Sequence, residues 1–90
     1  AVLLRFVYYN TSMCFVCSHF AAHQKEIRQR NEDFRQIYEG SEFSRKKELL
    51  VSYHDYVFWL GDLNYRIDLP NEMCKHYINK EDWDNLLDHD

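Results

Sequence analysis

Apolar positions along the chain fall into three dense runs and three sparser groups at helical spacing. Val2 to Tyr9 and Met13 to Phe20 are rich in β-branched and aromatic residues and are separated by Asn10-Thr11-Ser12, which predicts a β-hairpin. From Lys25 the period changes. Ile27, Phe34, Ile37 and Tyr38 recur at helix spacing, Glu26 stands four residues before Arg30 as a pairing partner, and Gly40 supplies a stop. Ser41 to Tyr53 is polar and reads as a short helix and a loop. Tyr56-Val57-Phe58-Trp59-Leu60 is continuously apolar and runs into Gly61, which predicts a strand buried on both faces. Pro70 suits a helix start, because the first amides have no intrahelical partner, and Met73, Tyr77 and Ile78 form the expected inner face. Asn79 is placed to cap a last helix, with Asp82 three residues on and Trp83, Leu86 and Leu87 as its buried stripe. The order strand, strand, helix, strand, helix, helix is that of an α/β fold.

Composition changes the picture in one respect. The chain is 46% hydrophobic and 17% aromatic, with only two glycines and one proline. Many large aromatics with few turn residues are expected of elements belonging to a larger layered core. With no linker visible at either end, residues 1–90 read as one partial domain, incomplete on both sides. The formal net charge of −4 argues against a surface that coats nucleic acid. No apolar run approaches bilayer length, and no signal-peptide pattern opens the chain. Three cysteines are an odd number, which disfavours a disulfide framework. Cys14 and Cys17 lie in a strand-like run at a spacing that puts their thiols on opposite faces, so they read as structural rather than as metal ligands.

Candidate chemistry gathers where strands end. Gly61 permits a sharp turn, after which Asp62 and Asn64 are presented at a strand's carboxyl end, where open α/β sheets keep their ligand crevices. A carboxylate can polarise a water there while an amide donates to a phosphoryl oxygen. The same residues equally make an Asx-type turn. His19 ends the second strand. It is either a donor to a phosphoryl oxygen, if the two strands are neighbours, or a structural histidine. His19 and His23 have a zinc-compatible spacing, but Phe20 stands where a zinc protease has glutamate, and His19 belongs to a strand. His54, His76 and His89 show no partner pattern and are expected at solvated positions. Arg28, Arg30 and Arg35 are interleaved with acids, as on a solvated face, although Arg30-Asn31 is also placed to anchor the His19 loop. Arg66 is close enough to Asn64 to clamp a phosphate, or to pair with Asp68. Arg45-Lys46-Lys47 reads as a solvated loop in preference to an anionic-lipid contact.

Phe58-Trp59-Leu60-Gly61-Asp62-Leu63-Asn64-Tyr65-Arg66-Ile67 resembles the first signature of the inositol polyphosphate 5-phosphatases, F/I-W-x-G-D-x-N-F/Y-R. Cys17-Ser18-His19-Phe20-Ala21-Ala22-His23, followed by Arg30-Asn31-Glu32-Asp33-Phe34, matches a second block of that family at the right distance. His54-Asp55-Tyr56-Val57-Phe58-Trp59 and Tyr65-Arg66-Ile67-Asp68-Leu69-Pro70-Asn71-Glu72 are similar to the synaptojanin branch in particular. The resemblance implies an α/β portion of a DNase I-like four-layer α/β sandwich. It implies Mg²⁺-dependent hydrolysis of the 5-phosphate of phosphatidylinositol 4,5-bisphosphate or of related inositol phosphates, by in-line attack of an activated water. By that resemblance Asp62, Asn64 and His19 are catalytic, while Arg66, Tyr65 and Asn31 contact substrate.

The family's main magnesium-ligand glutamate falls upstream of Ala1. Its second signature, P-A/S-W-C/T-D-R, and a downstream Asp-His pair fall beyond Asp90. No metal ligand is therefore assigned within the chain, and the 90 residues alone are expected to be inactive. His23 stands where synaptojanins commonly have glycine and other 5-phosphatases have histidine. The implied parent is a cytoplasmic, peripheral-membrane hydrolase acting on inositol phospholipid, with endocytic proteins as partners through other regions and no nucleic-acid partner. The competing expectations are an endonuclease or exonuclease of the same superfamily and a catalytically dead module that binds a protein or membrane.

Overall fold

The structure is a computed structural model that describes residues 1–41, 43 and 50–90. Strands β1 (Val2–Tyr8) and β2 (Thr11–His19) form an antiparallel hairpin. The turn is Tyr9-Asn10, with φ of 46° and 63°. Two successive positive φ values are the geometry that matches strand twist in a two-residue hairpin. Thr11 and Ser12, expected in the turn, therefore belong to β2. Helix α1 (Ile27–Gly40) carries the chain over to β3 (Tyr56–Asp62), which pairs with β2 in parallel. A parallel partner needs such a crossover, and β2 ends up in the middle of a three-stranded sheet. Two short helices follow, α2 (Asn71–Asn79) and α3 (Trp83–Asp88).

One sheet face is packed. Cys14, Val16 and Val51 form the buried cluster, with Leu3, Ile37, Phe43 and Trp59 against it. Burial raises the Cys14 thiol above its ordinary value, opposed by the Arg5 charge, so it stays a protonated core group. Val51 opens a 3-10 turn, Val51–Tyr53. His54, expected at a solvated position, is instead part-buried: Arg5 Nε donates to its Nε2 at 3.1 Å, and its Nδ1 lies 3.0 Å from the Val51 carbonyl. The basic cluster Arg45-Lys46-Lys47, and most of the expected short helix, lie outside the described residues.

The other face is open. Phe6, Phe15 and Phe58 stack across the three strands with centroids 5.8 and 4.8 Å apart, while Leu4 and Leu60 stay exposed beside them. β3 was expected to be buried on both faces, and it is not: only Trp59 is even half-buried. The apolar run is the right composition for a two-sided strand, but among the described residues only one side finds a partner. The expected inner face of α2 fails likewise, since Met73 and Ile78 are exposed. In α3 only Leu86 of the expected stripe is buried. That helix is capped by Asp82, whose carboxylate accepts from the Asn85 amide, rather than by Asn79. Asn79 is still helical, and the amides of Lys80, Glu81 and Asp82 close α2 on its own carbonyls. No helix among the described residues is long and apolar enough to cross a membrane.

Two local devices set the β2–β3 register. At one end, Asp55 Oδ2 accepts from the Ser12 amide at 2.8 Å and from its hydroxyl at 3.0 Å, while the Asp55 amide donates to Ser12 Oγ at 2.9 Å. At the other, Gly61 has φ +115°, and a Cβ there would stand 2.0 Å from the Ser18 carbonyl oxygen. Gly61→Ala, introduced into the full-length protein, is expected to cost on the order of 3 kcal/mol, read as a fall in thermal midpoint. The Ser12 amide, then its hydroxyl, hold the Asp55 carboxyl below its ordinary 3.8. A depressed folded value contributes stability above the unfolded value, lost as pH falls through the folded one. The stability difference between wild type and Asp55→Asn should therefore be constant above about pH 5 and shrink as denaturation is measured at more acid pH.

Candidate active site

Parallel pairing places His19 directly opposite Asp62, because the register matches Ser18 with Gly61 and His19 with Asp62. Both side chains leave the sheet on its open face at the strands' carboxyl ends. His19 Nε2 lies 3.7 Å from Asp62 Oδ2, and the two side chains are 73% and 68% exposed. They border a shallow cavity of about 390 Å³ with Cys17, Ser18 and Gly61. An exposed carboxylate beside an exposed imidazole is able to orient a water from one side and donate to an anionic oxygen from the other.

Asn64 stands behind this pair. Its amide nitrogen donates to Asp62 Oδ1 at 3.0 Å, with Asn64 itself at φ 57°. The Asx-type turn is thus present, and it leaves Asp62 Oδ2 facing His19. The Asn64 side chain donates from Nδ2 to the Phe20 carbonyl at 2.9 Å, and Arg66 Nη2 approaches its Oδ1 at 3.5 Å. One side-chain N–H of Asn64 is committed to that carbonyl, leaving the second for a ligand. Phe20 in turn donates its amide to the Asp62 carbonyl at 3.0 Å. His19, Asp62 and Asn64 are brought together, as the sequence suggested.

Tyr65 Oη donates to Asn31 Oδ1 at 2.6 Å, so these two residues meet across the gap between α1 and the loop after β3. Arg66 is not paired with Asp68; both border a separate cavity of about 430 Å³ with Gln24, Lys25, Ile27 and Arg30. His23 is exposed at φ 80° and does not join His19. No group of three or more His, Cys, Asp or Glu side chains gathers among the described residues.

Arg30 takes the second of its two expected roles, anchoring the loop after His19 rather than lying on a solvated face. Arg35 does lie on a solvated face, paired to Glu32 at 2.6 Å. Arg30 is 1% exposed and turns away from Glu26. Its Nη1 donates to the carbonyls of Ala21 at 3.1 Å and His23 at 2.6 Å, its Nη2 reaches that of Gln24 at 3.4 Å, and the Tyr65 ring lies 5.6 Å from its Cζ. Asp33, which sequence reasoning did not single out, accepts from the Ala21 amide at 3.0 Å. Trp59 Nε1 donates to Ser18 Oγ at 2.8 Å, tying β3 to β2 one residue before His19. The signal for Arg30 was spacing: positions 27, 30, 34 and 37 form one helix stripe, and a charge in that stripe faces inward.

Residues 1–90 match Endonuclease/Exonuclease/phosphatase family 2. The chain is 52% identical over 87 residues to synaptojanin-1 of Homo sapiens, covering 97% of this chain and 5% of that protein. It is 44% identical over 90 residues to synaptojanin of Caenorhabditis elegans, covering 100% of this chain and 8% of that one. Among solved structures it is similar to the inositol polyphosphate 5-phosphatase domain of SPsynaptojanin, in complex with inositol (1,4)-bisphosphate and calcium ion. That match has a TM-score of 0.84 at 38% identity and covers 98% of this chain and 26% of the other. The α/β elements described above are accordingly a part of the DNase I-like fold of that domain. The chain belongs to endonuclease/exonuclease/phosphatase family 2, on its synaptojanin-like inositol polyphosphate 5-phosphatase side.

Proposed function

We propose that the protein carrying this chain is a Mg²⁺-dependent phosphoinositide 5-phosphatase, a phosphoric monoester hydrolase whose chief substrate is phosphatidylinositol 4,5-bisphosphate. The observation that carries the reading is the His19–Asp62 pair, opposed in register at 3.7 Å with Asn64 behind it. The similarity to a 5-phosphatase domain solved with an inositol bisphosphate supports it. In this reading Asp62 holds a water and accepts its proton as the water oxygen bonds to phosphorus. The bond between phosphorus and the inositol 5-oxygen breaks in line, that oxygen takes a proton from solvent water to leave as the inositol hydroxyl, and Asp62 returns its proton to solvent. His19 and the second Asn64 N–H stabilise charge on the phosphoryl oxygens. Arg66, with Tyr65 and Asn31 beside it, is assigned to substrate binding.

Mg²⁺ takes one or two carboxylates and completes its shell with waters and substrate phosphate. The single exposed carboxylate of Asp62, beside the Asn64 amide, is a hard-oxygen set that fits such an ion but does not complete its site. The main ligand is assigned upstream of Ala1. When bound, the ion supplies a Lewis acid for the phosphoryl oxygens. In this reading the protein acts at the cytoplasmic face of membranes, with endocytic proteins as partners through regions outside these residues and with no nucleic-acid partner.

The test is phosphate release from phosphatidylinositol 4,5-bisphosphate vesicles with Mg²⁺ by the full-length protein, beside cleavage of abasic DNA. Asp62→Asn is expected to lower release about a thousandfold. Unchanged release would remove the base role from Asp62, and DNA cleavage without lipid hydrolysis would replace the phosphatase by a nuclease. Arg66→Met is expected to raise KM about tenfold with kcat within about twofold, as for a group that binds ground and transition states alike.

A further inference from the structure

We propose that Arg30 is a positioning residue for this reaction: from inside the fold it holds the loop after β2 so that the Phe20 carbonyl aims the Asn64 amide. The proposal rests on the 5-phosphatase reading for its kinetic consequence, although its geometry stands apart from the substrate.

The loop of residues 20–24 has no regular secondary structure of its own, and it is gripped from two sides. On the α1 side, Arg30 donates to the carbonyls of Ala21, His23 and Gln24, and Asp33 accepts from the Ala21 amide. On the β3 side, the Phe20 amide donates to the Asp62 carbonyl, Asn64 Nδ2 donates to the Phe20 carbonyl, and Gln24 Nε2 donates to the Ile67 carbonyl at 3.2 Å. The loop is therefore a bracket between a buried cation and the segment that bears Asp62 and Asn64. Its first residue follows His19 directly.

Stability alone gives no reason for an arginine here. Its position in the α1 stripe suits an apolar side chain, and a buried guanidinium carries a desolvation cost that well-packed apolar residues avoid. Among the described residues Arg30 bears that cost with no carboxylate paired to it and with no hydrogen-bond partner for its Nε. What a guanidinium supplies and an apolar residue cannot is a planar fork of donors that fixes several carbonyls at once. Here those carbonyls flank His23, at φ 80°, a backbone conformation that needs external support in a non-glycine residue. Tyr65 closes the arrangement, its ring near the guanidinium and its hydroxyl on Asn31 of the same helix.

A positioning residue acts through the group it positions, so the decisive measurement is a double-mutant cycle in the full-length protein. Arg30→Lys keeps the charge but loses the fork. It is expected to lower kcat about tenfold with KM within about twofold, and to cost less than about twofold when Asn64 is already alanine. In parallel, hydrogen exchange read by mass spectrometry should quicken over residues 62–67 and stay unchanged in α2 and α3. An equal kcat loss in both backgrounds would overturn the proposal, as would unchanged exchange over 62–67. Should Arg30→Lys fail to fold, Asp33→Asn loosens the same loop from the other grip; it should show the same dependence on Asn64, and wild-type kinetics in it would overturn the proposal. Absence of phosphate release from wild type would sink the phosphatase reading, while the exchange measurement would still decide the role of Arg30.

Discussion

The parallel pairing of β2 with β3 is the constraint on which the rest depends. It alone brings His19 and Asp62 face to face, and it requires the Gly61 backbone to pass within contact of the Ser18 carbonyl. Parallel strands cannot be joined by a tight turn, so α1 exists in this topology as the crossover. Once there, α1 supplies the packed layer over Cys14 and Val16 and the polar groups that grip the loop after His19. Core and candidate site are therefore two uses of one crossover. The residues on its inner stripe divide accordingly, Ile37 toward the sheet core and Arg30 toward the loop.

The polar groups of the site are layered by accessibility. His19 and the outer oxygen of Asp62 face solvent, where a ligand can reach them. Asn64 is half-committed: one side-chain N–H goes to the Phe20 carbonyl, and Arg66 approaches its oxygen. Arg30 is inside, with its charge spent on backbone carbonyls. Exposed polar groups at the rim, supported by progressively buried ones, are the arrangement that preorganisation of a site requires. The same logic explains why Asp62 accepts from the amide of Asn64: the turn that appears merely structural fixes the carboxylate's orientation.

Much of this was legible in the sequence because the signals were local. The β-branched and aromatic runs of β1 and β2, the spacing of α1 and the apolar run ending at Gly61 each belong to one element, and the convergence of His19, Asp62 and Asn64 needed only that the two strands be neighbours. The misreadings came from interactions that no single element contains. Asn79 looked like a helix cap until α2 ran through it and Asp82 took the role. For Arg30 the sequence left a solvated face and an anchor for the His19 loop both open, and only the loop carbonyls, invisible to composition, decide for the anchor. β3 carried the apolar content of a strand covered on both sides, but its second side has no partner among the described residues. The chain spans 26% of the solved 5-phosphatase domain to which it is similar.

The two halves of the sheet also differ in how far apart in the chain their partners lie. Tyr8 and Thr11 are joined by a two-residue turn, whereas His19 and Asp62 are separated by 43 positions (62 − 19). Closing the longer loop carries the greater entropic cost, and contacts of long sequence separation slow folding. The hairpin can form as soon as its own residues are available, but the carboxylate meets the imidazole only after the crossover helix has docked. In a chain built from its N-terminus, the His19–Asp62 pair is one of the last features of the sheet to appear.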